Sequence, residues 1–280
     1  MKSHEIIRIA LSKLGGPGSG HWGHAGRPGR RGGSAARSSA MSLKTGKDWQ
    51  TRQAAAKGNK GSSFGSSPVR SASGLGRLKG LNDAVILEFD DGTKGIFKNE
   101  DMKYGSAESE VLAYELSSSL GWDLVPETVM FDNSGKRGSL QKWEDNTSVS
   151  YAHRGSISLR AADQQDYMAV LDGMLDNPDR HSGNWIIAND GSRIWAIDNG
   201  AAFHIPLGGK AAHSASDYYP EYEFPGAKAA WRDVLTWSTT PKAATFVGQV
   251  SSMLGDDYAK RFQDFLDYLP DAMSAQENKW

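Results

Sequence analysis

Asp179 and Asn184 lie five residues apart in the polar loop Asp179-Arg180-His181-Ser182-Gly183-Asn184, and Asp198 follows fourteen residues after Asn184. The intervening chain reads as a short hairpin, Trp185–Ala188 and Ile194–Ile197 around Asn189-Asp190-Gly191. A tight hairpin returns the chain to where it left, so Asp198 is expected beside Asn184 without any long-range assumption. Two carboxylates and an amide converging there would make a hard, oxygen-rich pocket. Such a pocket suits Mg²⁺ better than zinc or copper.

A second group of residues lies upstream. Lys98 ends a predicted strand, and an acidic helix begins ten residues later with Glu108 and Glu110. A strand lysine held by a helix glutamate above a metal-binding loop is how protein-kinase-like folds grip ATP phosphates. Phosphoryl transfer leaves the protein little covalent work, so catalysis reduces to positioning groups and neutralising phosphate charge. Periodicity places Glu108 four residues before Leu112, on the helix's apolar stripe, so either glutamate is a candidate partner for Lys98. The competing reading of Asp179-Arg180-His181 is a solvated loop around a buried structural arginine.

The elements that must position these residues are legible in outline. Ala84–Phe89 and Thr93–Lys98 flank Asp90-Asp91-Gly92 and predict two strands joined by an Asp-Gly turn. Glu108–Leu120 predicts a helix, apolar at Leu112, Leu116 and Leu120 and stopped by Gly121. Thr128–Phe131 and Gly138–Trp143 suggest further strands. Ala161–Leu175 is a second helix, apolar at Met168, Leu171 and Leu175. Two or three more helices are expected from Ala229 onward, including Asp257–Leu269.

Charge divides the chain in two. Residues 1–80 carry 15 Lys/Arg against 2 Asp/Glu, whereas residues 81–280 carry 17 against 31. The near-neutral total of −1 hides a basic arm joined to an acidic body long enough to bury a core. Gly15–Ala40 has almost nothing to bury, and residues 1–75 are expected to form a flexible arm, with helical stretches at most in Met1–Leu14 and Lys47–Lys57. His21 and His24 sit in this arm, where a solvated tract is the simpler reading than a metal site. The absence of cysteine excludes a disulfide scaffold, a thiolate zinc site and a Cys nucleophile. No G-x-S-x-G elbow supports a serine hydrolase. No apolar run reaches the roughly 18 residues of a membrane helix, and Glu5, Arg8 and Lys13 interrupt any secretory signal. A cytoplasmic protein is therefore expected.

The loop Asp179–Asn184 resembles the DRHxxN loop of the phosphatidylinositol 3- and 4-kinases and their relatives, and Ile197-Asp198-Asn199-Gly200 stands where these have an acidic turn. The body is similar to a bacterial family of kinase-like proteins related to them. The shared motifs are Gly80-Leu81-Asn82, Lys98, Glu110–Tyr114, Leu120–Pro126, Gly138–Gln141 and Asn177–Arg180, in one order over about 120 residues. The arm resembles Gly/His/Arg-rich segments of head-morphogenesis proteins of tailed phages and prophages, over about twenty residues.

These resemblances imply roles. Asp179 would orient or deprotonate an acceptor hydroxyl, and His181 would contact the γ-phosphate or steady the loop. Asn184 and Asp198 would hold Mg²⁺. Lys98 would contact the α/β-phosphates, braced by Glu110, and the Gly80–Asp83 loop, with Asn82 in it, would cap the phosphates through backbone N–H groups. Gln141 and Trp143 would line the hinge against adenine. Two departures from the pattern stand out: Asn199 replaces the usual Phe of the acidic turn, and no G-x-G-x-x-G is present.

The expected fold is therefore α+β, a two-lobed protein-kinase-like domain over residues 76–280. Its small β-rich lobe would span 76–142 and its mainly helical lobe 150–280, with ATP and Mg²⁺ between them. The expected activity is ATP- and Mg²⁺-dependent phosphotransfer to a hydroxyl, with a protein Ser/Thr acceptor favoured over a lipid. The alternatives are nucleotidyl transfer on the same fold and a non-catalytic phage structural protein on a kinase-like scaffold. The arm's expected partners are its own acidic body, nucleic acid or phage assemblies, the last implying a host-cell or virion location.

Overall fold

The computed structural model describes residues 63–74, 84–100, 105–150, 155–203 and 226–277. Gly80, Asn82, the two arm helices and the arm histidines lie outside the described residues.

Five antiparallel strands form the first sheet: β1 (Val69–Gly74), β2 (Ala84–Phe89), β3 (Lys94–Asn99), β4 (Thr128–Asn133) and β5 (Lys136–Lys142), in the order β1-β2-β3-β5-β4. The β2–β3 turn is the expected one. Gly92 takes φ 83°, which an L-residue rarely adopts, and the Phe89 N–H donates to Thr93 O at 2.9 Å. Alternation then sorts the side chains. Leu87, Phe89, Phe97 and Leu140 bury together on one face, while Lys98 lies on the other, opposite Ser139.

The boundary expected at residue 75 moves upstream, because residues counted with the arm belong to the domain. Val69–Gly74 pair with β2, from Val69 opposite Phe89 to Gly74 opposite Val85. Ahead of them, Phe64 packs edge-on against Phe89, ring centres 6.2 Å apart. Gly65 (φ 74°) follows so closely over the sheet that a Cβ there would sit 3.0 Å from Leu140 Cδ2. The strand was illegible because Val69-Arg70-Ser71-Ala72-Ser73-Gly74 is small and polar, and β1 is an exposed edge.

Helix α1 (Ala107–Ser119) starts where Ser106 Oγ accepts the Ser109 N–H at 3.0 Å, and ends before Gly121 (φ 74°). It is buried on nearly all sides. Glu108 and Glu110 face the first sheet's residues, while Leu112 and Leu116 join the main core, and the helix packs on the helix Pro241–Leu254. The second lobe holds β6 (Thr147–Val149), β7 (Trp185–Ala188) and β8 (Ile194–Ala196) in one antiparallel sheet. Around it stand α2 (Leu159–Leu175), α3 (Ala227–Ser238), α4 (Pro241–Leu254) and α5 (Asp256–Glu277). The last helix runs beyond the expected end at Leu269. Pro270 removes only its own N–H, and Leu266, Leu269 and Met273 continue one buried stripe across it. Trp231, Phe246, Phe262 and Phe265 form the aromatic centre of this core. The α+β class and its antiparallel sheets are as expected. No described helix is long and apolar enough to cross a membrane.

Candidate active site

The hairpin does what its sequence promised. Trp185 pairs with Ala196, and the Ile197 N–H donates to Asn184 O at 3.0 Å, so Asp198 follows directly on a residue bonded to Asn184. The hairpin is fixed from outside by the loop after α1. Ala196 N–H donates to Leu124 O at 2.8 Å, and Leu124 N–H to Ser117 Oγ at 2.8 Å. Asp198 itself adopts φ 56°. Asp tolerates this left-handed conformation better than most residues, and such strain concentrates at functional sites.

Lys98 joins the two lobes. Its Nζ donates to Glu110 Oε1 at 2.5 Å and to Asp198 Oδ1 at 2.7 Å. Burial alone would lower the ammonium's pKa, but the two carboxylates outweigh it and hold the group above the ordinary lysine range. The Lys98 charge likewise holds Asp198 below the ordinary carboxylate range, against the opposing effect of burial. Glu110, rather than Glu108, is thus the partner of Lys98. Glu108 turns to Arg137 on β5, 3.0 Å away.

Beneath the loop sits Arg180, 1% exposed. Its guanidinium donates to both carboxylate oxygens of Asp172 on α2, at 2.9–3.2 Å, and to Ile197 O at 2.6 Å. It also donates to Asn184 O and to Asn199 Oδ1. Burial pushes the Asp172 carboxyl upward, and Arg180 opposes this. The structural arginine and the polar loop are therefore not alternatives. Arg180 is the post on which the loop and the acidic turn are mounted.

Asp179, next to it, is exposed. Its N–H donates to Asn177 Oδ1 at 3.1 Å, and its carbonyl accepts Asn184 Nδ2 at 2.8 Å. Asn184 Nδ2 also lies 3.3 Å from Asp179 Oδ2, which leaves Oδ1 as the atom able to face a cation. His181 Nδ1 accepts the Gly183 N–H at 2.9 Å, which fixes the ring against its own loop.

Gln141 and Trp143 do not join this group through their side chains. Gln141 is buried, with Nε2 donating to Thr128 Oγ1 at 3.2 Å. Trp143 donates its backbone N–H to Lys94 O at 2.9 Å and its indole N–H to Asp145 Oδ1 at 3.0 Å. Sequence reasoning also missed Asp172. A signal existed, because Asp172 stands four residues after Met168 and three before Leu175, an acid on an apolar stripe.

The donors fit a hard divalent cation. Among the described residues no group of three or more His, Cys, Asp or Glu could hold a metal. Asn184 and Asp198 offer oxygen donors, the kind a hard divalent cation takes alongside waters and phosphate oxygens.

No family model matches the chain. It is 30% identical over 129 residues to Protein Rv2133c of Mycobacterium tuberculosis, a match taking in 34% of this chain and 46% of that protein. The chain thus spans less than half the length of this relative. Among solved structures, the Golgi casein kinase aligns at TM-score 0.46 and 14% identity, covering 74% of this chain and 71% of its own. The same kinase with Mn/ADP bound aligns at TM-score 0.47 and 14% identity, covering 74% and 72%. The Helicobacter pylori proinflammatory kinase CtkA aligns at TM-score 0.49 and 13% identity, covering 72% of this chain and 98% of its own.

Proposed function

We propose that the chain is an ATP- and Mg²⁺-dependent phosphotransferase of the protein-kinase-like kind, acting on a hydroxyl acceptor, with protein Ser/Thr favoured. The observation that carries this reading is Lys98, whose Nζ contacts Glu110 on α1 and Asp198 on the acidic turn at once. A cation so placed between two lobes can move from Asp198 to an incoming phosphate while Glu110 still holds it. Asn184 and Asp198 would hold the divalent cation, which when bound neutralises charge on the phosphates. Asp179 is exposed, as a residue that orients or deprotonates an acceptor hydroxyl must be. His181 steadies the loop from within. Gly80 and Asn82 would cap the phosphates, and the backbone around Gln141 and Trp143 would meet adenine.

The test is calorimetry with Mg·ATP on the full chain. Asp198→Ala should weaken binding at least tenfold in the presence of Mg²⁺, because Asn184 alone is a neutral ligand for a strongly hydrated ion. Unchanged affinity in Asp198→Ala would remove the site.

A further inference from the structure

The acidic turn is tied to helix α1 by its backbone. Asn199 N–H donates to Glu110 Oε2 at 2.9 Å, the carboxylate oxygen not used by Lys98. Ser106 N–H donates to Gly200 O at 2.9 Å, and Ser109 Oγ to Ala202 O at 2.7 Å. Gly105 (φ 97°) permits this approach, since a Cβ there would run into the Gly200 carbonyl. The same turn is tied to the opposite side by a side chain. Asn199 is fully buried, and its Oδ1 accepts from Arg180, which Asp172 holds from α2.

Asn199 is therefore the one residue of the turn that reaches both ways, with its backbone to Glu110 and its side chain to Arg180. A hydrophobic residue there would leave the Arg180 guanidinium short of an acceptor in a buried site, an unfavourable arrangement. It would also leave the carbonyl of Ile197 as the turn's remaining contact with Arg180, a weaker hold on Asp198 at φ 56°.

We propose that Asn199 is a positioning residue that locks the acidic turn in one setting, so that Asp198 faces the cation site while Glu110 faces Lys98. The inference rests on the phosphotransferase reading for its purpose, but not for its geometry. Its consequence is that α1 and the turn move as one body. The Lys98–Glu110 pair is then a fixed feature, not a switch made and broken by movement of the helix. Partners one step removed from a metal ligand typically change metal affinity by about 10–100-fold when lost, and that is the effect expected here.

The experiment uses the full chain with Mg²⁺ and ADP, measured by calorimetry, and hydrogen exchange over residues 194–203. Asn199→Leu should weaken ADP binding in Mg²⁺ by about 10–100-fold, with ADP binding in EDTA little altered, and should speed exchange across the turn. Asn199→Asp keeps an acceptor oxygen for Arg180 and should recover most of both losses. If Asn199→Leu fails to fold, Asn199→Ser, too short to reach Arg180, carries the same comparison. The proposal is overturned if Leu or Ser leaves Mg·ADP affinity within about twofold of wild type, if exchange in the turn is unchanged, or if Asp restores nothing. Should the wild type bind no Mg·ADP, the phosphotransferase reading falls, and exchange in the variants still decides whether Asn199 locks the turn.

Discussion

Lys98 and Asp198 stand 100 residues apart in the chain and 2.7 Å apart in the structure. The contact is a consequence of two local arrangements. The β3–β5 register sets Lys98 on the sheet face that meets α1, and the β7–β8 hairpin carries Asp198 back to the loop it left. Each side has its own anchor, Glu110 for the lysine and the Arg180 cradle for the turn.

Removing the lysine separates stability from activity. Lys98→Met leaves Glu110, 1% exposed, without its cation, and breaking such a buried pair costs roughly 3–5 kcal/mol. Adding Glu110→Gln should return part of that stability in urea unfolding while phosphotransfer stays lost. Equal stability of Lys98→Met and wild type would show that the pair is not formed in solution.

The revised domain boundary can be tested by truncation. A chain starting at Ser63 keeps Phe64, Gly65 and β1 and should unfold cooperatively at close to the full-length midpoint. A chain starting at Leu75 strips the edge strand and uncovers Phe89 and Leu140, and should lose several °C or aggregate. Matching midpoints for the two truncations would return residues 63–74 to the arm. The charge asymmetry between arm and body adds a second readout, since any arm contact made by charge should weaken steeply with salt.

Much of this arrangement was legible because its signals are local. The Asp-Gly turn, the apolar stripe of α1 and the hairpin after Asn184 each specify themselves within about a dozen residues, and the hairpin alone predicts that Asp198 returns to Asn184. What was illegible depends on contacts across the fold. Nothing in the small, polar β1 marks it as a strand until β2 is beside it. Glu108 and Glu110 are both buried, and only the position of Arg137 on β5 decides which of them is left for Lys98. The motif marks Gln141 but does not foretell that its side-chain amide donates to Thr128 inside the sheet, which leaves its backbone for the proposed hinge.

A pH effect is expected at the start of α3. Gly226, which precedes the helix and has no side chain to cap it, donates its N–H to Asp166 Oδ2 on α2 at 2.5 Å. Burial pushes the Asp166 carboxyl up to about 6, with Asp163 adding to the rise and the Gly226 hydrogen bond opposing it. A carboxyl raised on folding favours the folded state most below its unfolded value near 4, and that contribution is lost as pH rises through about 6. Asp166→Asn keeps an acceptor for Gly226 and should flatten the melting temperature between pH 4 and 6. An unaltered pH profile in Asp166→Asn would place the titration elsewhere.

On the proposed reading, this chain moves the terminal phosphoryl group of ATP, with Asp179 positioning the acceptor. The most direct measurement incubates the full chain with Mg²⁺ and either γ-labelled or α-labelled ATP, and locates any self-modified Ser or Thr by mass spectrometry. Transfer of the γ label alone is predicted, with Asp179→Asn slowing it by about 10²–10⁴ while nucleotide affinity holds. Transfer of the α label, no transfer at all, or wild-type turnover in Asp179→Asn would contradict it.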